Sequence, residues 1–275
     1  MPATRITADL EMHHRIDDYT DPWGEPETVL MLHGNAESGA VWFGWVPHLA
    51  REFRVVRPDM RGFGASTPMP RDYRWSLDGV IDDFIALMKT LGIERFHLVG
   101  AKIAATIARR LAARFPARVR TLTLVGAPPP RREHKPGVLD FWLAQIEQEG
   151  VEAWARSTMD GRLGSGFPAA GLDWWAKLMG RTSLSTQLGF VASIPHWDVA
   201  SDLARIACPT LVITTEGSAL GSAAEVAQWQ RKIANSALLV LPGDSFHVAA
   251  TDPDRCARET LAFIRRDGAQ SGARS

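Results

Sequence analysis

The segment Phe96-His97-Leu98-Val99-Gly100-Ala101-Lys102-Ile103-Ala104-Ala105 limits the fold of this chain more than any other. An apolar run passes through Gly-Ala-Lys into Ile-Ala-Ala, so a strand, a sharp turn and a helix follow one another directly. Such a join closes only when the positions two before and two after the tip are small. Gly100 and Ala104 fill them, and the side chain thrust out at the tip is Lys102.

The surrounding sequence alternates strand and helix in the same way. Arg5 to Asp17, followed by Asp21-Pro22-Trp23-Gly24, reads as an opening antiparallel hairpin with a turn. Thr28 to Leu32 reads as a buried strand ending at His33-Gly34-Asn35. Ala40 to Leu49 has helical spacing, and Phe53 to Arg57 is a strand leading into Pro58-Asp59-Met60-Arg61-Gly62-Phe63-Gly64. Trp75 to Leu91 is an amphipathic helix closed by Gly92, and Phe96 to Gly100 and Val119 to Val125 are strands flanking a helix from Lys102 to about Phe115. This rhythm is that of right-handed βαβ units, hence a mostly parallel sheet covered by helices on both faces.

Pro128-Pro129-Pro130 can continue neither strand nor helix and marks a boundary. From Val138 to Ala204 the texture is helical, with segments at Leu139 to Gln148, Val151 to Met159 and Leu172 to Met179. Strands return at Pro209 to Thr215 and Ala237 to Leu241, and a helix spans Asp254 to Arg266 before a small, polar tail expected to fray. Residues 1–130 and 205–275 thus form an α/β core, and 131–204 a helical cap inserted between sheet strands.

Composition narrows the partners. Lysine plus arginine and aspartate plus glutamate balance at 31 each, so no global field draws in nucleic acid or an anionic membrane. A small-molecule partner is the expectation, with the protein a monomer or homodimer. Cys208 and Cys256 are far apart, which predicts free thiols rather than a disulfide or zinc site. His13, His14, His48, His97, His134 and His196 lack the paired spacing of a metal site, and no nicotinamide or flavin fingerprint is present, so neither a metal nor an organic cofactor is expected. The first residues lack a signal-peptide core and no run has membrane-spanning length, which predicts a cytoplasmic location.

Taken in order, Leu32-His33-Gly34, Asp59 to Gly64, the turn at Lys102, the cap insertion, and Leu241-Pro242-Gly243-Asp244-Ser245-Phe246-His247 after the final strand resemble the α/β-hydrolase superfamily over about Val29 to Ile264. The resemblance implies an eight-stranded, mostly parallel sheet and a catalytic triad of Ser, His and Asp. His247 matches the family's histidine, but Lys102 stands at the serine position and Ser218 at the position of the acid, with Glu216 the nearest carboxylate. The family pattern also implies an oxyanion hole from the backbone N–H groups of Asn35 and Ile103, and gives His33 a bracing role. Asp59 and Arg61 read as a structural turn.

Lysine at the start of a helix and under a cap is disfavoured as an ammonium ion, so its pKa should be depressed. Attack on an ester would leave a stable amide, which disfavours serine-type turnover. Two chemistries remain: a Schiff base on Lys102 acting as electron sink, or a non-covalent Lys102 that positions a carboxylate or enolate while His247 moves protons. Glu37, carried on the Asn35 loop, either pairs with Lys102 and favours the second route or points to solvent. The cap aromatics Phe141, Trp142, Trp154, Trp174, Trp175 and Trp197 divide between packing and the lining of an apolar pocket, with Trp142, Trp174 and Trp175 the residues assigned to the pocket. The expected function is cleavage or hydrolysis of a C–C or acyl bond in a small carbonyl or acyl substrate. The alternative is a pseudoenzyme that keeps the pocket and only binds.

Overall fold

A computed structural model describes residues 2–131 and 137–272, with side chains described to residue 266; His134 lies outside the described residues. In chain order the elements are β1 (Ala3–Thr7), β2 (Leu10–Asp17), β3 (Thr28–Leu32), α1 (Val46–Leu49), β4 (Arg54–Pro58), α2 (Leu77–Thr90), β5 (Phe96–Ala101), α3 (Ile103–Arg114) and β6 (Val119–Val125). Then come α4 (Val138–Glu149), α5 (Val151–Ser157), α6 (Met159–Leu163), α7 (Ala169–Gly180) and α8 (Leu184–Ser193). The chain closes with β7 (Thr210–Thr215), α9 (Ala223–Gln230), β8 (Ser236–Leu241), α10 (Val248–Thr251) and α11 (Pro253–Gly272).

The strands form one eight-stranded sheet in the order β1-β2-β4-β3-β5-β6-β7-β8. β1 and β2 make the antiparallel hairpin, β2 pairs antiparallel with β4, and every later pairing is parallel. β3 and β5 are buried along their whole length, as central strands covered on both faces must be. Two apolar clusters fill the two faces: Phe84, Phe96, Ile107 and Phe190 belong to one, and Trp42, Trp45, Trp154 and Trp175 to the other. Helix α2 seats Leu77, Val80, Ile81, Phe84, Leu87 and Met88 in the core from one stripe. Each such side chain contributes about 1.5–3 kcal/mol of burial.

Several boundaries differ from the sequence reading for identifiable reasons. Ala40 to Leu49 is not one helix but a 3-10 turn at Gly39–Gly44 followed by α1, because Pro47 has no N–H to extend a ladder through that point. Val151 to Met159 divides into α5 and α6 at Thr158, whose hydroxyl bonds the carbonyls of Trp154 and Ala155 at 3.2 and 2.9 Å. Helix α8 falls in the stretch read as helical without being delimited there, and α9 lies outside every helix read from the sequence. Both carry serine caps, Ser183 accepting from Thr186 N–H and Ser222 forming a reciprocal capping box with Glu225. The tail expected to fray is helical through Gly272. Cys208 and Cys256 are free and buried.

Candidate active site

The turn after β5 holds Lys102 at φ 56 and ψ −123, outside the regions L-residues prefer. Its N–H is bonded to Val125 O at 2.9 Å, which ties the tip to β6. Gly100 is required by space: a Cβ there would sit 2.7 Å from Ala104 O and 2.9 Å from Ala108 Cβ. Among the described residues, the other non-glycine with positive φ is Ala36, on the loop facing the tip. Strain of about 1–3 kcal/mol at each position is retained only where the surroundings over-determine it.

The facing loop follows β3. His33 accepts from Met60 N–H through Nε2 at 2.9 Å, so its Nδ1 carries the proton and donates to Gly34 O at 2.8 Å. His33 therefore braces the loop. Asp59 does the same for the next one, accepting from Gly39 and Ala65 N–H, while Arg61 forms a two-pronged buried pair with Asp83. At Gly34 a Cβ would lie 2.5 Å from Lys102 Cε and 3.1 Å from its Nζ, so the lysine side chain lies directly across this glycine.

Glu37 is where that lysine goes. Its carboxylate has no exposed surface and accepts from Gly34 N–H at 2.9 Å through Oε2. Through Oε1 it pairs with Lys102 Nζ and meets His247 Nε2 at 3.0 Å. Of the two sequence alternatives for Glu37, the ion pair is the one that forms. Burial alone would raise the Glu37 pKa, but the Lys102 charge, His247 and their hydrogen bonds outweigh it and hold the group well below the usual carboxylate range. For Lys102 burial is the largest effect and lowers the pKa. Glu37 opposes it, Arg162 adds to it, and the result is about 8. His247 is lowered to about 4 by burial first and then by the Lys102 charge. At neutral pH the cluster is thus ammonium, carboxylate and neutral imidazole.

His247 follows β8 and starts α10, its N–H bonded to Arg162 O and Ser245 Oγ, both at 3.0 Å. Because Glu37 is ionised, His247 Nε2 carries the proton and donates it, which leaves Nδ1 as the lone pair. That atom is buried without a hydrogen-bond partner among the described residues. The two residues expected to orient the imidazole do not reach it. Glu216 is exposed, and Ser218 turns its hydroxyl to Leu220 N–H at 3.3 Å. The carboxylate came instead from Glu37, on the opposite side of the ring, because the loop after β7 carries no acid at the position where one would approach Nδ1.

A cavity of about 410 Å³ opens above the tip, lined by Asn35, Lys102 and Ile103 from the core and by cap residues including Trp142, Trp154 and Arg162. Trp142 thus takes its expected place. Trp175 does not line the cavity: it packs edge-on against the His247 ring at 4.8 Å, with Lys102 Nζ 5.9 Å from its centroid. Trp174 also stays off the lining, 41% exposed and against Phe43, because it is the neighbour of Trp175 on α7 and faces a different side. Trp154, one of the six cap aromatics, also lines the site, and so does Arg162, which the sequence did not single out; a lone arginine on a short cap helix carries no motif. Among the described residues, no group of three or more His, Cys, Asp or Glu could hold a metal ion, and no helix is long and apolar enough to cross a membrane.

A family model described as alpha/beta hydrolase fold matches residues 27–253. A protein of Agrobacterium fabrum named "Putative carbamate hydrolase RutD" is 24% identical over 263 residues, covering 92% of this chain and 98% of its own. The 2-hydroxymuconate semialdehyde hydrolase of a Pseudomonas species is 38% identical over 102 residues, about a third of either chain, 36% of each. Among solved structures, the enol-lactonase from Burkholderia xenovorans superposes with a TM-score of 0.85 at 22% identity, over 96% of this chain and 100% of that one, a likeness of fold.

Proposed function

The chain belongs to the α/β-hydrolase fold family, and from that premise we propose that it cleaves or hydrolyses a C–C or acyl bond of a small, partly apolar carbonyl compound without a seryl ester intermediate. The observation that carries this reading is the buried Glu37–Lys102 pair beside the cavity. With a pKa of about 8, Lys102 is mostly ammonium at neutral pH and a poor nucleophile. The non-covalent route is favoured accordingly.

In that route the electron pair released from the breaking bond collects on a carbonyl oxygen of the substrate. The Lys102 charge and the N–H groups of Asn35 and Ile103 meet it there. Lys102 gives a proton to the enolate or leaving group. Water adds to the carbonyl carbon and gives its proton to His247 Nδ1, while the Nε2 proton passes through Glu37 Oε1 to restore the Lys102 ammonium. The relatives' names are in keeping with such a substrate, since a carbamate, a semialdehyde and an enol lactone are all small carbonyl compounds.

A screen of β-keto acids, β-diketones and aryl esters tests the reading, with Lys102→Ala and Lys102→Ser in parallel. Expected is turnover of a dicarbonyl compound that falls at least about 100-fold in Lys102→Ala, with no adduct trapped by borohydride. Undiminished turnover in Lys102→Ala defeats the proposal, and a trapped adduct replaces it by the Schiff-base route. One observation favours a second reading as a binding protein: Glu37, Lys102 and His247 satisfy one another, and Trp175 covers the imidazole. Ligand-induced stabilisation with no product from any compound would support it.

A further inference from the structure

The loop that carries His247 is held from the cap as well as from the core. Arg162 O, near the end of α6, accepts from His247 N–H at 3.0 Å and from Ser245 Oγ at 2.7 Å. Ser245 Oγ also accepts from His247 N–H at 3.0 Å, so one buried hydroxyl bridges the cap carbonyl and the histidine main chain. Further along the same turn of the cap, Ser165 N–H donates to Asp244 Oδ2 at 3.2 Å. Gly164, at φ 77, makes that close approach possible, because a Cβ there would run into the Asp244 carboxylate. From the core, Thr215 Oγ1 at the end of β7 donates to Ser245 O at 2.8 Å.

An imidazole pinned only at its tip can still turn about its side-chain bonds. Glu37 holds the Nε2 end, and the loop after β7 brings no carboxylate to Nδ1, since Glu216 is exposed and Ser218 bonds Leu220 N–H. A second fixed point must therefore come from the main chain. The joint with α6 supplies it, and Trp175, also from the cap, packs edge-on against the ring.

We infer that Ser245 is a positioning residue for His247: by joining the α6 carbonyl to the histidine main chain, it gives the imidazole the second fixed point that a carboxylate at Nδ1 would otherwise give. Ser245 is not part of the cavity lining, so it acts through His247. The arrangement leaves Nδ1, the proton acceptor of the proposed reaction, without a partner among the described residues. Because α6 also lines the cavity through Gly161 and Arg162, moving the cap releases the imidazole together with the pocket wall. This deepens the proposed function and rests on His247 being the proton carrier there; the test reads the ring itself and needs no turnover.

The test is NMR of the protein labelled with 15N-histidine at pH 7, with the His247 signals assigned by their loss in His247→Gln. Expected in the unmodified protein is a single Nε2–H tautomer whose proton exchanges slowly with water. Ser245→Ala should speed that exchange at least about tenfold, as the loss of the bridging hydrogen bonds implies. Thr215→Val removes the bond to Ser245 O but keeps the bridge to the cap, and should leave exchange within about twofold of the unmodified rate even where it lowers the melting temperature. Gly164→Ala pushes the cap turn away with Ser245 intact; it should speed exchange as well, and carries the test if Ser245→Ala does not fold. Where a dicarbonyl compound is turned over, Ser245→Ala should lower kcat with KM unchanged. Exchange in the unmodified protein as fast as that of free histidine, exchange unchanged in both Ser245→Ala and Gly164→Ala, or exchange sped as much by Thr215→Val as by Ser245→Ala overturns the positioning role. A slow Nε2–H that is lost in Ser245→Ala while no compound is turned over sinks the catalytic reading alone.

Discussion

The floor and the roof of the cavity are built on opposite plans. On the floor, Glu37, Lys102 and His247 are almost fully buried and balance one another in charge, and their donors and acceptors meet, His247 Nδ1 excepted. On the roof, Arg162 lies against the Trp154 and Phe246 rings with its Nε bonded to Thr158 Oγ1, and the Trp154 N–H is buried without an acceptor among the described residues. A self-satisfied floor holds geometry and protonation state. The roof is mostly aromatic and carries the second cation of the cavity lining.

The contrast breaks most sharply at Glu37. Glu37→Gln removes the only carboxylate on Lys102 among the described residues and leaves a buried ammonium unpaired, with an expected loss of about 3–5 kcal/mol in urea unfolding. Since Glu37 is what raises the lysine pKa, that pKa should fall further below 8. The neutral amine then present at pH 7 should be trapped by borohydride with an aldehyde, whereas the parent protein is not. If stability and trapping are both unchanged, the floor is not held by this pair.

Acid should act on the floor through His247. Its folded pKa, about 4, lies below the ordinary 6.5, so between those values the unfolded chain binds more protons and stability falls as pH falls. The loss is on the order of 3 kcal/mol between pH 6.5 and 4, and His247→Gln should flatten that part of the curve. Lys102 has the same sign at high pH: its folded pKa is also depressed, so its contribution makes stability rise from pH 8 toward 10.5. An unfolding series across both windows measures the two effects.

Two glycines separate architecture from chemistry. Gly100→Ala forces a methyl into the Ala104 backbone and should cost about 1–3 kcal/mol of stability. Gly34→Ala meets the far end of the Lys102 side chain instead, so its main effect should be a displaced amine and an altered lysine titration, seen by NMR, with a smaller stability loss. The smallest effect is expected at Trp174→Ala. Partly exposed and off the cavity, it should change stability by less than about 1 kcal/mol and leave ligand affinity as it was.

How much of this was legible follows from how far apart the interacting groups lie in the chain. Thr28–Leu32 and Val119–Val125 were read to the residue because runs dominated by β-branched residues and leucine need nothing but their own neighbours. The capping box at Ser222 and Glu225 is an equally local signal for α9, and was available. The break at Thr158 was not, because a hydroxyl that bonds its own helix looks no different in sequence from one that faces water.

The strand–turn–helix at Lys102, the placing of the amine at its tip and the family to which the chain belongs were determined by sequence alone, since steric demands two residues either side of a turn are written locally. The tertiary structure decided the partners of that amine. Glu37 reaches Lys102 across 65 positions and His247 across 210, and Arg162 enters the same cavity from the cap. Charge state depends on burial and on which charges are near in space, and both are set only when the sheet and the cap bring those segments together.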